Sequence, residues 1–178
     1  AAFLLENFKD KGLKSAADAK HGFDLDAMAL EVANNYADYK KKQKAIGNLD
    51  YAKLPCINHP IFKGKDVNYD PREVFVQDLF KKKGIHNVFL DFYHSLVEAL
   101  FKAKVSKNVY CVNIDAVIAV ILLKIVWADF NDGKIKEEDI ESASFATFLF
   151  GRMIGCAAEI DDHTSRGKNM DTRTPASK

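Results

Sequence analysis

The sequence predicts an all-α fold, and two observations support that prediction. Apolar residues recur every three to four positions through most of the chain, which is the spacing of one face of a helix. The alternation of apolar and polar residues that marks a half-buried strand is not convincing in any segment. The chain has 178 residues, which is enough for one domain with a buried core.

Two helices are predicted in the first part of the chain. Phe3 and Phe8 share one face of a short amphipathic helix that ends at Gly12. A second helix begins at Asp24 and ends in the lysine cluster 40–44, whose positive charge suits the negative end of the helix dipole. We interpret that cluster as a solvated helix end, and a contact with a ligand's phosphates is the alternative.

A long loop over residues 47–68 follows, and loops of this length inside a compact domain tend to be functional or disordered. It holds His59 between two prolines, which stiffen the backbone and disfavour a helix. The next helix is predicted to begin after Asp70, with that side chain as N-cap and Pro71 at the first helical position. It is predicted to end at Gly84.

Three further helices complete the prediction. Two columns of apolar side chains, spaced about four residues apart, predict a heavily buried helix from Asn87. His94 lies in that helix, and we interpret it as a core or interface histidine. Residues 109–128 are apolar nearly all round and predict a buried helix. Gly133 breaks it, and the acidic residues 137–139 predict the start of the last helix.

Composition bears on partners and location. The net charge of +1 and the scattered basic residues give no nucleic-acid footprint. The longest apolar run, residues 116–123, is too short to cross a bilayer. Three cysteines without a CxxC pair are typical of reduced intracellular thiols and not of a disulfide scaffold or zinc site. We therefore predict a cytoplasmic protein with no metal, no nucleic-acid partner and no membrane partner.

The junction between the long loop and the following helix is a candidate site for an anionic ligand. His59 and Lys63 lie in the loop, and Arg72 lies in the first turn of the helix. The alternative is an ordinary helix cap beside a solvated or structural histidine. These residues alone do not decide between the two.

Two charged residues stand where the helical pattern predicts burial, namely Asp115 and Arg152. A buried charge is costly, so each needs a partner or a function. Desolvation would suit Asp115 to act as a general base, and Arg152 offers a planar fork for a carboxylate. The alternatives are that the two residues pair with each other, or that Asp115 only caps its helix. Arg173, in a polar tail, would by itself be assigned to solvent.

The order of these segments resembles the C-terminal part of the citrate synthase family. The resemblance runs over about residues 53–175, and any one of its segments is weak while the set is fairly specific. Residues 58–63 with 69–72 resemble the family's G-H-x-V-[YF]-[KR]…D-P-R signature, and residues 112–116 resemble its N-V-D segment. Further along, residues 148–152 resemble its F-x-x-x-R helix, and residues 170–175 resemble its arginine-containing tail.

The resemblance implies a fold and an activity. The fold would be multi-helical and citrate synthase-like, specifically its C-terminal part. The enzyme would condense acyl-CoA (acetyl-CoA or similar) with oxaloacetate to a citrate-like product, as a homodimer. It would bind no cofactor permanently, because the coenzyme A thioester is a substrate. The alternatives are a citryl-CoA-type lyase that runs the carbon–carbon cleavage, and a non-catalytic module that binds CoA or a carboxylate.

The resemblance also implies residue roles. Asp115 would take a proton from the acyl-CoA, and His59 would donate a hydrogen bond or proton to the oxaloacetate carbonyl. Lys63 would lie near the CoA phosphates. Arg173 could reach the neighbouring subunit's site in a dimer. The residues that would bind the substrate carboxylates are Arg72, Arg152 and Arg173.

Four features depart from the family pattern, and one of them is a longer loop around residues 130–136, between the helices of Asp115 and Arg152. Cys56 and Asn58 stand where the family usually has glycine. Extra residues in the segment 64–68 lengthen the gap between the histidine and the arginine of the signature. These departures leave the identity of the acyl-CoA and of the oxo acid open.

A second catalytic histidine of the family, in an H-G-G-A-type segment, has no match in the sequence, since His21 and its neighbours lack the surrounding small residues. We therefore expect a fragment that is inactive alone. Residues 1–52 would lead from a missing large domain, and residues 53–165 would form the small domain with the CoA and oxo-acid site. Residues 166–178 would form a polar C-terminal segment with a substrate arginine.

Overall fold

The computed structural model of the chain is all-helical and confirms the predicted class. It describes residues 1–16 and 22–166, in which there are six helices and no strand. The helices are α1 (Ala2–Phe8), α2 (Leu25–Ala45), α3 (Pro71–Lys83), α4 (Val88–Lys102), α5 (Ile114–Asn131) and α6 (Glu137–Arg166).

Three predicted helix starts are confirmed by their caps. The side chains of Asp24, Asp70 and Asn87 each accept a hydrogen bond from a backbone N–H in the first turn of α2, α3 and α4. These bonds satisfy amide groups that have no partner inside the helix. Gly84 ends α3 in the left-handed conformation, and Gly133 has a positive φ just after α5.

The predicted start of α5 was wrong by five residues. Residues 109–113 are not helical, because the backbone there pairs with the long loop: Val109 bridges to Val67, and Val112 bridges to Ile57. The helix begins only after Asn113, whose side chain caps it. The β-branched valines suit this extended pairing, and the apolar composition alone did not distinguish it from helix.

Two other boundaries differ from the prediction. The first helix ends at Phe8, and residues 9–12 form turns that lead to Gly12 with its positive φ. The last helix continues to Arg166, which the prediction placed in the polar C-terminal segment 166–178. Polar residues can extend an exposed helix, so polarity did not mark its end.

The core is built around α4, which packs along α2 and also contacts α5. Small residues on α2, Ala29 and Ala33, are fully buried and allow the two helices to approach closely. Phe8 of α1 makes edge-to-face contacts with Phe89 at 5.1 Å and Phe92 at 5.2 Å between ring centroids. Residues from both sides of position 52 therefore share one hydrophobic core. The division of the chain into segments 1–52 and 53–165 stays a prediction.

The long loop is anchored to the residues before α5. The Asn58 N–H donates to the Cys111 carbonyl at 2.8 Å, and the Asn113 N–H donates to the Cys56 carbonyl at 3.1 Å. Cys56 and Asn58 have φ values of 66° and 65°, in the left-handed region. At these two positions the resemblance described above predicts glycine, which adopts this backbone conformation most easily.

Helix α6 is largely exposed. Its stretch Glu137–Ser165 is long and apolar enough to cross a membrane by length and composition, and none of its most apolar window is buried. The sequence prediction tested only residues 116–123 and missed this stretch. Length and composition alone do not separate a membrane span from a helix that other protein covers. The large exposed apolar residues of α6 are Phe145, Leu149, Phe150, Met153, Ile154 and Ile160.

The left-handed backbone at Asn58 generates a stability prediction. We expect Asn58→Ala to be about 1 kcal/mol less stable than Asn58→Gly, with the natural protein between them or equal to the glycine variant, since alanine tolerates positive φ poorly. Urea unfolding measures the three free energies. Asn34→Ala, in the exposed part of helix α2, is the control and should not destabilise. Equal stability of the three proteins at position 58 would show that the loop does not require this conformation.

Candidate functional site

A cleft of about 1020 Å³ lies between the long loop, the first residues of α3 and α5, and one face of α6. Four of the six predicted site residues line it, although they come from distant parts of the chain. They are His59, Arg72, Asp115 and Arg152.

The His59 ring is held in one tautomer. Its Nδ1 accepts a hydrogen bond from the Ile61 backbone N–H at 3.2 Å, and the ring stacks on Phe62 with 4.6 Å between centroids. Because Nδ1 is the acceptor, the neutral ring carries its proton on Nε2. The half-buried imidazole can therefore donate a hydrogen bond through Nε2 to a ligand in the cleft.

The guanidinium of Arg72 is held by Asp70, two residues earlier. Nε donates to Oδ1 at 2.9 Å, and the terminal nitrogen Nη2 donates to Oδ2 at 2.6 Å. The Arg72 guanidinium also lies 5.8 Å from the centroid of the Phe62 ring. Its side chain is 51 % exposed, so the remaining N–H groups of the fork are available to a ligand.

Asp70 is fully buried. Burial by itself would raise the pKa of this carboxyl, but hydrogen bonds from the side chain and backbone of Arg72, the charge of Arg72 and a backbone hydrogen bond from Ile114 outweigh it. The pKa of Asp70 is therefore held below its ordinary value. The same contacts raise the pKa of Arg72, so both groups stay ionised.

Asp115 is half-buried in the first turn of α5. It does not cap the helix, because Asn113 Oδ1 accepts from the backbone N–H groups of Asp115 and Ala116. Its Oδ1 is buried, and no residue in the described part of the chain donates a hydrogen bond to it. A carboxylate oxygen in that state has its lone pairs free for a proton or a ligand.

Arg152 lies on the cleft face of α6 but is exposed, so the prediction that it is buried was wrong. The reason is that α6 has little protein packed around it in the described structure. Its guanidinium lies 4.9 Å from the centroid of the Phe148 ring. Within residues 1–16 and 22–166 it forms no ion pair with Asp115, which removes the interpretation that the two residues simply neutralise each other.

The other two predicted site residues are not in the cleft lining. Lys63 is exposed in the loop, and its role near CoA phosphates stays a prediction. Arg173 lies outside the described residues. His94, read as structural, contacts Glu73 at 3.0 Å and Gln77 at 3.1 Å and links α4 to α3.

Sequence reasoning missed three contributors to the cleft. Phe62 contacts both His59 and Arg72, and its place in the loop signature was the only signal. Asp70 was predicted as a helix cap only, although an acid two residues before an arginine can also hold its side chain. Glu159 lines the far end of the cleft and contacts His163 at 2.9 Å.

No cluster of three or more metal-ligand side chains occurs among the residues that the structure describes. Comparison of the chain with protein-family models, with curated proteins and with solved structures finds no match. The arrangement itself therefore has to indicate the chemistry: a fixed imidazole donor, a carboxylate with a free oxygen, and two guanidinium groups around one open space.

The Asp70–Arg72 pair generates the second prediction. Asp70→Asn should lower the free energy of unfolding by about 2 kcal/mol at neutral pH, less than for a fully buried pair because Arg72 is half exposed and can be solvated. The pKa of Asp70 in the folded protein is below its ordinary value of 3.8. The ionised carboxylate therefore stabilises the fold fully at a pH above 3.8, and this stabilisation is lost as the pH falls through the lowered pKa.

Urea unfolding of both proteins between pH 7 and pH 2 tests this prediction. The gap between the natural protein and Asp70→Asn should be constant above about pH 5 and should shrink below pH 4. Asp78→Asn, an exposed carboxylate of the same helix, is the control and should show no comparable gap. A gap that does not change with pH would show that the charge of Asp70 is not the stabilising feature.

Proposed function

We propose that the cleft binds an oxo acid through its carboxylates and makes the carbon–carbon bond between that acid and an acyl-CoA. The reaction would be the citrate synthase-type condensation of acetyl-CoA or a similar thioester with oxaloacetate. The observation that supports this most is the convergence on one cleft of four residues that the sequence analysis had named. Those residues are His59, Arg72, Asp115 and Arg152.

Asp115 is the proposed base. The hydrogens beside a thioester carbonyl are weakly acidic, so their removal needs a positioned carboxylate that is not occupied by another donor. The free Oδ1 of Asp115 satisfies that need. Asp115 takes the proton, the electron pair of the C–H bond moves into the thioester, and the carbon becomes a nucleophile.

His59 is the proposed acid. The new carbon–carbon bond forms at the ketone carbon of oxaloacetate, and the ketone oxygen gains the electron pair of its π bond. The Nε2–H of His59, fixed by the bond at Nδ1, stabilises and protonates that oxygen. The product is a citryl-CoA-type thioester, and attack by water on its carbonyl releases CoA and the citrate-like acid.

The arginines are the proposed carboxylate ligands. Arg72 is oriented by Asp70 and Phe62, and Arg152 of α6 lines the same cleft. Guanidinium groups pair with carboxylates in two parallel hydrogen bonds, so two of them select a dicarboxylate over a monocarboxylate. Arg173 is the proposed third carboxylate ligand, and Lys63 is the proposed CoA-phosphate ligand.

We expect the isolated chain to be inactive. The oxygen of the acyl-CoA enolate also needs a hydrogen-bond donor, and His59 is the one imidazole among the described residues that line the cleft. A further segment or subunit would supply that donor. The exposed apolar side chains of α6 support such a partner, because a surface of this kind is usually covered by protein. A homodimer in the cytoplasm is the proposed setting.

The same cleft residues also suit two alternatives to the condensing enzyme. A citryl-CoA-type lyase would run the bond cleavage with His59 as base and Asp115 returning the proton, and the direction of reaction does not change the geometry. A non-catalytic module would bind CoA or a carboxylate without turnover, and the missing second donor favours it. Detection of hydrogen exchange or of turnover separates the module from the two enzymes.

The third prediction tests the base. In the protein with its natural termini and subunits, Asp115→Asn should lower deuterium exchange at the methyl group of acetyl-CoA about a thousandfold, because an amide cannot accept the proton. NMR measures the exchange, and thermal unfolding should be nearly unchanged. Asp132→Asn, exposed and outside the cleft lining, is the control. Normal exchange in Asp115→Asn would remove this residue from the mechanism.

The fourth prediction tests the carboxylate ligand on α6. Arg152→Gln should weaken oxaloacetate or citrate binding about 10- to 100-fold, which is the loss expected for a charge-assisted pair. Because Arg152 is exposed and unpaired with Asp115, its replacement should change stability little. Calorimetric titration measures the binding, with Lys136→Gln as an exposed control at the start of α6. Unfolding without a binding defect would assign Arg152 a structural role instead.

A further inference from the structure

The carboxyl ends of α2 and α4 lie side by side at one end of the molecule. At the amino ends, the Phe8 ring contacts both Phe23, just before α2, at 6.2 Å and Phe89, in the first turn of α4, at 5.1 Å between ring centroids. At the carboxyl ends, Lys40 Nζ donates a hydrogen bond to the Val105 carbonyl at 2.9 Å. The two helices therefore run in the same direction, and residues 40–49 and 99–108 meet at that end.

These two segments form a surface that we call the basic end. They contain seven lysines and no aspartate, glutamate or arginine. All of these lysines except Lys40 are exposed. The segments are far apart in the chain, so the sequence alone presented their basic residues as scattered. The lysines are Lys40, Lys41, Lys42, Lys44, Lys102, Lys104 and Lys107.

The basic end also exposes large apolar side chains. Ile46 and Leu49 are 75 % and 77 % exposed, and Phe101 is 46 % exposed. The turn that carries the two aliphatic residues is held by a hydrogen bond of 2.7 Å from the Asn48 side chain to the Gln43 side chain. The dipole of a helix end accounts for lysines beside it, but it does not account for apolar side chains exposed among them. Exposed apolar groups that cluster in this way mark an interaction surface.

We propose that the basic end docks the protein on the surface of a membrane that contains anionic lipids. Lysine ammonium groups attract the headgroups of such lipids, and each lysine near the surface strengthens binding about fivefold. Ile46 and Leu49 then enter the boundary between headgroups and acyl chains, where apolar side chains of peripheral proteins bind. The proposal revises the prediction of no membrane partner, which rested on the length of one apolar run.

The proposal is independent of the chemistry of the cleft. None of the lysines or exposed apolar residues of the basic end belongs to the described lining of the cleft. A failure of membrane binding would therefore leave the proposed condensation untouched, and a failure of the condensation would leave the docking surface untouched.

The apolar residues favour a bilayer over a nucleic acid as the partner. Surfaces that hold single-stranded nucleic acid stack its bases on aromatic rings, and the two most exposed apolar side chains here are aliphatic. Phosphate contacts to a duplex need only the positive charge and would leave Ile46 and Leu49 in water. An anionic bilayer accommodates both the lysines and the aliphatic side chains, so it fits this surface best.

Vesicle co-sedimentation of the full-length protein, with its natural termini and subunits, tests the proposal. We expect binding to vesicles of phosphatidylcholine and phosphatidylserine in about a 2:1 ratio, and no comparable binding to phosphatidylcholine alone. Binding should be lost as the salt concentration approaches about 1 M, where the Debye length is about 3 Å. Absence of binding to both kinds of vesicle, or equal binding to both, would overturn the proposal.

Two triple variants separate the basic end from the net charge of the protein. Lys41→Gln combined with Lys42→Gln and Lys44→Gln should weaken vesicle binding about a hundredfold, because three lysines are lost. The matched control replaces the exposed lysines 81–83, which end α3, by glutamine and should leave binding unchanged. These lysines lie just before α4 begins, at the other end of that helix. An equal loss in the two variants would assign binding to net charge and overturn the docking surface.

A further pair of variants tests the apolar contact and is valid even if the lysine variants do not fold. Ile46→Ser combined with Leu49→Ser should weaken vesicle binding at least about tenfold. Ile125→Ser, at a position 71 % exposed on α5, is the control and should have no effect. Unchanged binding of the double variant would overturn the membrane assignment, because a purely electrostatic surface binds any polyanion. Tighter binding of single-stranded RNA than of vesicles would overturn it as well.

Discussion

The cleft depends on one buried carboxylate, that of Asp70. It caps α3, holds the guanidinium of Arg72 by two hydrogen bonds and lies near the backbone of Ile114 at the start of α5, which helps to lower its pKa. A buried carboxylate without partners would cost several kcal/mol, so Asp70 needs its hydrogen bonds to remain ionised inside the protein. One side chain thereby fixes an arginine from one helix relative to the first turn of another, where Asp115 lies.

The long loop adds the third part of the site by backbone pairing and ring contacts. Its hydrogen bonds to residues 111–113 place His59 beside the start of α5, and Phe62 supports both the imidazole and the Arg72 guanidinium. None of these contacts comes from the hydrophobic core. The hydrophobic core of α1, α2, α4 and α5 provides the base, and polar contacts at helix ends position the proposed reacting groups on it.

Sequence reasoning predicted the helices well where local signals were strong. The predicted starts at Asp24, Asp70 and Asn87 are correct, and in the structure each of these side chains satisfies an amide of the first turn. The start of α5 failed because residues 109–113 pair with a loop about fifty residues away, and local composition carries no trace of such a partner. Arg152 was expected to be buried because it lies on an apolar stripe of α6. Such a stripe indicates that the helix is covered but does not show by what, and the described part of the chain leaves this stripe exposed. The hydrogen bonds between Asp70 and Arg72 depend on side-chain geometry, which the sequence does not show.

A crystal structure of the protein with citrate bound tests the central claim most directly, namely that the cleft is a site for a polycarboxylate beside a base and an acid. We expect citrate carboxylates about 2.8 Å from the guanidinium nitrogens of Arg72 and Arg152, and the citrate hydroxyl oxygen at hydrogen-bond distance from His59 Nε2. Asp115 should contact the carbon skeleton and not a carboxylate. Citrate bound away from these residues, or a cleft left empty at saturating citrate, would contradict the account.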